Sequence, residues 1–218
     1  MSASPATGAG HAPGAGHAAG ATGAPHAGSI ELIVGPVASE KTTTMLARLR
    51  RRRFAMEPVL LVKSVLDTRY GSGDVVSTHG DSTGPTIRQE SVAGTSQCAA
   101  IRVVQAGRLS EVAPAPEEMT IGVDEGQFYS DLPEMCERWA NEGRRVVIAA
   151  LDGDFKRRLF GRVNELLPLC EEITKLRGVC GVCHQTSSFS QRLVPSTTQV
   201  VIGGSESYRS VCRSCYFA

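Results

Sequence analysis

The chain has 218 residues, 41% of them hydrophobic, and a formal net charge of +1. That length suits one good-sized domain or one domain with an appendage, and the near-neutral balance excludes a global electrostatic pull toward nucleic acid or an anionic membrane. No apolar run approaches the roughly 18–20 residues that a membrane-spanning helix needs.

Residues 1–29, "MSASPATGAGHAPGAGHAAGATGAPHAGS", are mostly Gly, Ala, Pro and His. They show no basic start followed by an apolar core, so they do not read as a secretory signal. They lack the large apolar side chains that would offset chain entropy, and they read as a disordered tail. His11, His17 and His26 would bind metal weakly at best; incidental histidines in a low-complexity tail are the simpler reading.

The folded region is expected to start near Ile30. Ile30–Val34 is a short apolar run that reads as a buried strand. Gly35–Lys41 is a loop, and Thr42–Phe54 reads as a helix with Met45, Leu46 and Leu49 on one face. Its other face carries Arg48 and Arg50–Arg53, a basic cluster that reads as a solvated face before it reads as a phosphate or nucleic-acid contact. Val59–Lys63 is a second strand. Residues 64–85, rich in Gly, Ser, Asp and Thr, predict a long loop of the kind that is functional or disordered. Gln97–Leu109 is expected to be helical. Met119–Val123 predicts a strand ending in Asp124-Glu125, Asp131–Asn141 a helix stopped by Gly143, and Arg145–Leu151 another buried strand. Strands alternating with helices imply an α/β fold with a parallel sheet and crossover helices.

The pattern changes near residue 175. The rest of the chain is short apolar snippets, polar turns and cysteines, which predicts a small appended subdomain over residues 176–218 beside a core at 30–175. Seven cysteines in an unsecreted chain argue against a disulfide framework. Cys98, Cys136 and Cys170 read as plain thiols. Cys180-x-x-Cys183 and Cys212-x-x-Cys215 read as two knuckles that turn four thiolates onto one tetrahedral Zn²⁺. Four sulfur ligands leave no open position, so the metal would be structural and would stabilise a subdomain with little core. His184, beside Cys183, is a weaker candidate ligand. The subdomain carries few basic residues and no stacked aromatics, which argues against a nucleic-acid-binding ribbon.

The stretch "GPVASEKTTT" from Gly35 to Thr44 follows a strand and opens a helix, the context of a phosphate-binding loop. Backbone N–H groups there would cradle phosphates, Lys41 would reach the β- and γ-phosphates, and Thr42 would hold Mg²⁺. Gly35, Ser39, Lys41, Thr42 and Thr43 are the candidate phosphate-binding residues. Asp124, at the end of another strand, is the expected acidic companion on the magnesium side. The loop pattern G-x-x-x-x-G-K-[ST] asks for glycine before the lysine, and Glu40 stands there.

These pieces together resemble the cellular type II thymidine kinases, which join a P-loop NTPase-like core to a zinc-bearing lasso subdomain. The resemblance covers Ile30 to Phe217. Its markers are "GPVASEKTT", "DTRY" at Asp67–Tyr70, "VSTHG" at Val76–Gly80, "DEGQF" at Asp124–Phe128, "AALDGDFKRRLFG" at Ala149–Gly161, the two C-x-x-C pairs and "VIGGSESYRSVCRSCY" at Val201–Tyr216. The resemblance implies that Glu125 takes the proton from the thymidine 5′-hydroxyl, and that Asp67 and Arg69 help to hold magnesium and phosphate charge. It implies a nucleoside site lined by Val37, Gln127 and Phe128, with an apolar wall of Leu151, Phe155 and Phe160. Val201–Tyr208, including Gly203, would close over the base as the lasso, with Tyr208 touching sugar or base. It further implies thymidine and ATP as substrates, structural zinc, Mg²⁺ with ATP, and a homotetramer or an association with an active family member. Absent targeting signals and reduced thiols imply the cytoplasm.

The loop departs from the family's G-P-M-[FY]-[SA]-G-K-[ST] at Val37, Ala38 and Glu40. A glutamate where backbone must approach phosphate has a steric cost and an electrostatic one. Two like unit charges at 4 Å repel by ~1 kcal/mol in bulk water and ~4 kcal/mol at an effective dielectric of ~20. An acid in the first helical turn would complement the macrodipole, with Lys41 pairing with Glu40 instead of phosphate. Two functions follow: a thymidine kinase, or a catalytically impaired relative that binds nucleoside or partners an active subunit.

Overall fold

The computed structural model describes residues 28–66, 75–76, 87–88, 97–201 and 203–218. Of the sequence motifs, the tail before Gly28, "DTRY" with Asp67 and Arg69, and most of the long loop lie outside the described residues.

Six strands form one parallel sheet. In chain order they are β1 (Ser29–Gly35), β2 (Val59–Ser64), β5 (Ile101–Ala106), β6 (Thr120–Val123), β7 (Arg145–Leu151) and β8 (Glu172–Lys175), and their spatial order is β5-β2-β6-β7-β1-β8. A two-residue antiparallel pair, β3 (Val75–Val76) with β4 (Ile87–Arg88), comes between β2 and β5 in the chain. The central strands are buried on both faces, as a parallel sheet between helices requires. Leu32, Leu60, Val62, Ile121, Val123, Val146 and Ile148 face α2 (Leu132–Asn141), with Trp139 and Tyr129 completing that core. Ile33, Val59, Leu61, Val147 and Ala149 face α1 (Lys41–Phe54), which inserts Met45, Leu46 and Leu49. Gly122 lets α1 approach, since a Cβ there would lie 2.6 Å from a Leu49 methyl.

The expected helix over Gln97–Leu109 is instead strand β5 followed by a short 3-10 turn at Leu109–Glu111. Ile101, Val103 and Ala106 are buried while Arg102 and Gln105 are exposed. That is a period near two, carried by β-branched residues on a sheet edge that leaves half its side chains in water. The other edge strand, β8, is also polar, and the sequence pattern alone assigned no strand there.

After residue 175 the elements are short: β9 (Gly178–Val179) pairs with β10 (Thr186–Ser187), and β11 (Phe189–Arg192) with β12 (Tyr208–Val211), before α3 (Arg213–Phe217). This segment packs against the phosphate-loop end of the sheet. A Cβ on Gly178 would meet the Ala38 carbonyl oxygen at 3.1 Å, and the Val37 N–H donates to Ser190 Oγ at 3.0 Å.

Candidate active site

The carboxyl ends of β1, β6 and β7 converge on one edge of the sheet, where open α/β folds place their ligands. β1 ends at Gly35, where a Cβ would lie 2.6 Å from Ser39 Oγ and 2.8 Å from the Leu176 carbonyl oxygen, so the chain can turn there only without a side chain. The turn is held from inside: Ser39 Oγ donates to the Pro36 carbonyl at 2.9 Å, and Lys41 Nζ donates to the same oxygen at 2.6 Å. Thr42 and Thr43 sit in the first turn of α1, half-buried.

Glu40 adopts φ 65°, ψ 26° and Ala38 φ 52°. Both are left-handed conformations that glycine adopts freely and other L-residues adopt at a cost of roughly 1–2 kcal/mol. The turn into α1 therefore holds two non-glycine residues, on either side of Ser39, in a conformation that glycine adopts freely. Glu40 is the residue before the helix and not part of its first turn, which contains no acid. Its side chain is exposed and makes no capping hydrogen bond, and no ion pair with Lys41 exists among the described residues. Of the two partners considered from the sequence, Glu40 is not the one met: Lys41 Nζ bonds the Pro36 carbonyl among the described residues.

Strand β6 delivers Asp124 and Glu125. Asp124 is buried, and its Oδ1 accepts from Thr42 Oγ1 at 2.9 Å and from the Glu125 N–H at 3.1 Å. Glu125 has φ 52°, ψ 47°, which turns the chain sharply into the 3-10 turn Gly126–Phe128. The buried Gln127 amide bridges two elements: its Nε2 donates to Glu125 Oε2 at 2.5 Å and its Oε1 accepts from the Leu151 N–H at 3.0 Å. Gly161, at φ 58°, packs so closely on this turn that a Cβ would lie 2.2 Å from the Gln127 carbonyl oxygen.

Beside this carboxylate edge is a pocket. Every residue expected to line a nucleoside site borders it: Val37, Gln127 and Phe128, then Leu151, Phe155 and Phe160, then Val201, Gly203 and Tyr208, together with Glu125. Phe128 and Phe160 meet edge to face at 5.8 Å between centroids. Sequence reasoning missed Asp154, Ser190 and Gln199, which also border the pocket. Asp154 is buried, Oδ1 accepting from the Lys156 and Arg158 N–H groups at 2.8 Å each and Oδ2 accepting from Gln199 Nε2 at 3.1 Å. Asp154 lies inside the "AALDGDFKRRLFG" marker but was given no role there, while Ser190 in β11 and Gln199 lie outside every marker.

The Sγ atoms of Cys180, Cys183, Cys212 and Cys215 lie within 4.8 Å of one another. Backbone hydrogen bonds from Cys183 and then Cys212 pull the Cys180 thiol down to about 6. Hydrogen bonds with the Cys183 and Cys212 sulfurs push the Cys215 thiol up to about 12. Four sulfurs so close can all ionise only around a cation, so the cluster suits a tetrahedral metal that accepts thiolates. His184 takes φ 61° after Cys183 and is not one of the cluster.

Fold and site define an α/β P-loop-like protein with a pocket beside the carboxyl ends of its strands and a four-cysteine cluster near its C-terminus. A family model described as thymidine kinase matches residues 28–216. The chain is 42% identical over 190 residues to a cytosolic thymidine kinase of Gallus gallus, covering 87% of this chain and 77% of that protein. It is 40% identical over 192 residues to a thymidine kinase of rabbit fibroma virus and 41% identical over 192 residues to one of monkeypox virus, each covering 88% of this chain and 98% of the relative. The chain belongs to the thymidine kinase family.

Proposed function

We propose that the protein is a thymidine kinase, transferring the ATP γ-phosphoryl group to the thymidine 5′-hydroxyl in deoxynucleoside salvage for DNA precursor synthesis. The observation that carries this reading is the adjacency of the pocket, with its apolar wall and Gln127 amide, to the Thr42–Asp124 pair at the foot of the phosphate loop. Phosphoryl transfer asks the protein mainly for alignment and charge stabilisation. In this reading Gly35, Ser39, Lys41, Thr42 and Thr43 bind the ATP phosphates. Thr42 and Asp124, joined by Asp67, would hold Mg²⁺, which neutralises phosphate charge when bound. Arg69 adds positive charge near the transferred group. Glu125 borders the pocket and is oriented by Gln127, which suits it to accept the 5′-hydroxyl proton at a carboxylate oxygen.

Phe128, Leu151, Phe155 and Phe160 enclose the nucleoside, and Val37, Val201, Gly203 and Tyr208 close it. The cysteine cluster takes Zn²⁺ as a structural ion, and residues 176–218 form the subdomain it stabilises beside the 30–175 core. We place the enzyme in the cytoplasm, as a homotetramer or in association with an active family member; no helix among the described residues is long and apolar enough to cross a membrane. The second reading, a catalytically impaired relative, rests on Glu40, whose side chain is exposed and makes no capping hydrogen bond.

The test is thymidine phosphorylation by the purified protein with Mg-ATP, beside Glu125→Gln and Glu40→Gly. Turnover that Glu125→Gln abolishes is the expected result. Turnover by Glu40→Gly alone would install the impaired reading in its place.

A further inference from the structure

The pocket's closing segment, residues 193–207, is the loop of the β11–β12 hairpin, and Arg192 and Tyr208 face each other across its base. A loop of that length without regular structure needs something to hold its shape. Three of its carbonyls converge on one side chain. Arg192 Nε donates to Tyr208 Oη at 3.2 Å. Nη1 donates to the carbonyl oxygens of Thr198 at 2.5 Å and Ser196 at 3.4 Å. Nη2 donates to the Gln199 carbonyl at 2.7 Å and to Tyr208 Oη at 2.7 Å. A guanidinium has five N–H donors, and each has an acceptor here. Tyr208 Oη in turn donates to the Val201 carbonyl at 3.0 Å. The plane of the guanidinium also lies over the Phe155 ring, with Cζ 3.8 Å from the centroid.

Arg192 itself does not border the pocket, but Phe155, Gln199, Val201 and Tyr208 do. We propose that Arg192 is a positioning residue that sets the shape of the nucleoside pocket by tying the closing loop, through its carbonyls and Tyr208, to the core-side wall at Phe155. This deepens the thymidine kinase reading and rests on it. The chemistry is specific to arginine. Three loop carbonyls, a hydroxyl and an aromatic face must be met at once by a planar, fixed fork, which a lysine ammonium with three donors cannot reproduce.

The experiment compares the unmodified protein with Arg192→Lys and Arg192→Ala. KM is measured for thymidine and for ATP, metal content by atomic absorption, and thermolysin cleavage within 193–207 by mass spectrometry. The expected result is a rise of about tenfold or more in KM for thymidine in both variants. KM for ATP and the zinc content should stay unchanged, cleavage of the loop should be faster, and added guanidinium ion should partly restore Arg192→Ala. A normal thymidine KM in Arg192→Lys, or parallel rises in both KM values, would overturn the assignment. If the unmodified protein phosphorylates no thymidine, the functional reading fails. The loop-cleavage comparison then still decides whether Arg192 holds the loop: unchanged cleavage in both variants overturns it.

Discussion

The Thr42 hydroxyl donates to Asp124 Oδ1 at 2.9 Å, joining the first turn of α1 to the end of β6. The contact puts a neutral oxygen and a buried carboxylate at one point on the phosphate side of the site. A carboxylate in that position would be largely a charge partner for Mg²⁺, which contributes several kcal/mol of transition-state stabilisation in phosphoryl transfer. Asp124→Asn keeps the shape and an acceptor for Thr42 but removes the charge. Kinetics should show kcat lowered by roughly 100-fold or more, since each 1.36 kcal/mol is tenfold, with calorimetric thymidine binding unchanged. Loss of thymidine binding instead would place Asp124 in the architecture of the pocket and not on the magnesium side.

Glu40 makes a second prediction with two independent readouts. Its left-handed backbone is one that glycine relieves, so Glu40→Gly should stabilise the fold by about 1 kcal/mol in chemical denaturation, after allowing for the entropy a glycine adds to the unfolded chain. Removing an anion from beside the phosphates should also lower KM for ATP, by about tenfold if ~1–2 kcal/mol of repulsion is relieved. Glu40→Gln separates the two effects: it removes the charge and keeps the strain. An unchanged ATP KM in both variants would show that the exposed carboxylate points away from the nucleotide.

These residues also mark what the sequence could disclose. β1, β2, β6 and β7 were legible because buried parallel strands are unbroken apolar runs, and the pocket-lining residues only through the family resemblance that the motifs carry. β5 and β8 were not, because edge strands such as "IRVVQA" and "EITK" mix polar and apolar positions and the decisive partner is a distant strand. The position of Glu40 in the loop pattern announced a problem, but only backbone angles show that it takes a conformation that glycine adopts freely. Asp154, Gln199 and Arg192 act through loop carbonyls and N–H groups, and nothing in residue order says which carbonyls a folded loop will present.

Two buried acids away from the pocket should contribute to the response to low pH. Burial alone would raise the Asp131 pKa, but the Ser110 and Leu109 N–H groups donating at 2.9 and 3.1 Å outweigh it and hold the carboxylate below its usual range. At Glu118 burial is likewise outweighed, by Arg102 at 2.6 and 2.8 Å and the Ala115 N–H at 2.7 Å. A folded-state pKa below the unfolded one gives stability that is fully present above the unfolded value, near 4, and is lost as pH falls through the folded value. Denaturation midpoints measured from pH 6 downward should therefore fall steeply below about pH 4. Asp131→Ala should remove part of that slope and about 1–3 kcal/mol of stability at neutral pH, by orphaning two backbone donors. An unchanged slope in that variant would assign the acid sensitivity elsewhere.

The cysteine cluster flanks β10–β12, and removing a metal held there should uncouple that segment from the sheet. Cys180 follows β9, Cys212 follows β12 directly, and the strands between them are too short to hold themselves together. Their contacts include Ser187 Oγ to Ser210 Oγ at 2.5 Å and the Arg192 bonds to Tyr208 across the hairpin. The six-stranded sheet has its own two-sided core, on which the stability of that half should rest. A strong chelator, or Cys183→Ser, should therefore abolish thymidine binding and split thermal unfolding into an early transition for the cysteine subdomain and a later one for the sheet, because metal-binding energy in such small subdomains is folding energy. Phosphate-loop contacts within the sheet half, including Thr42 with Asp124, should survive, so nucleotide binding should weaken less than thymidine binding. A single unfolding transition with thymidine affinity intact after metal removal would show that the subdomain is held by its packing on the Ala38–Gly178 contact and the Val37–Ser190 hydrogen bond instead of by the metal.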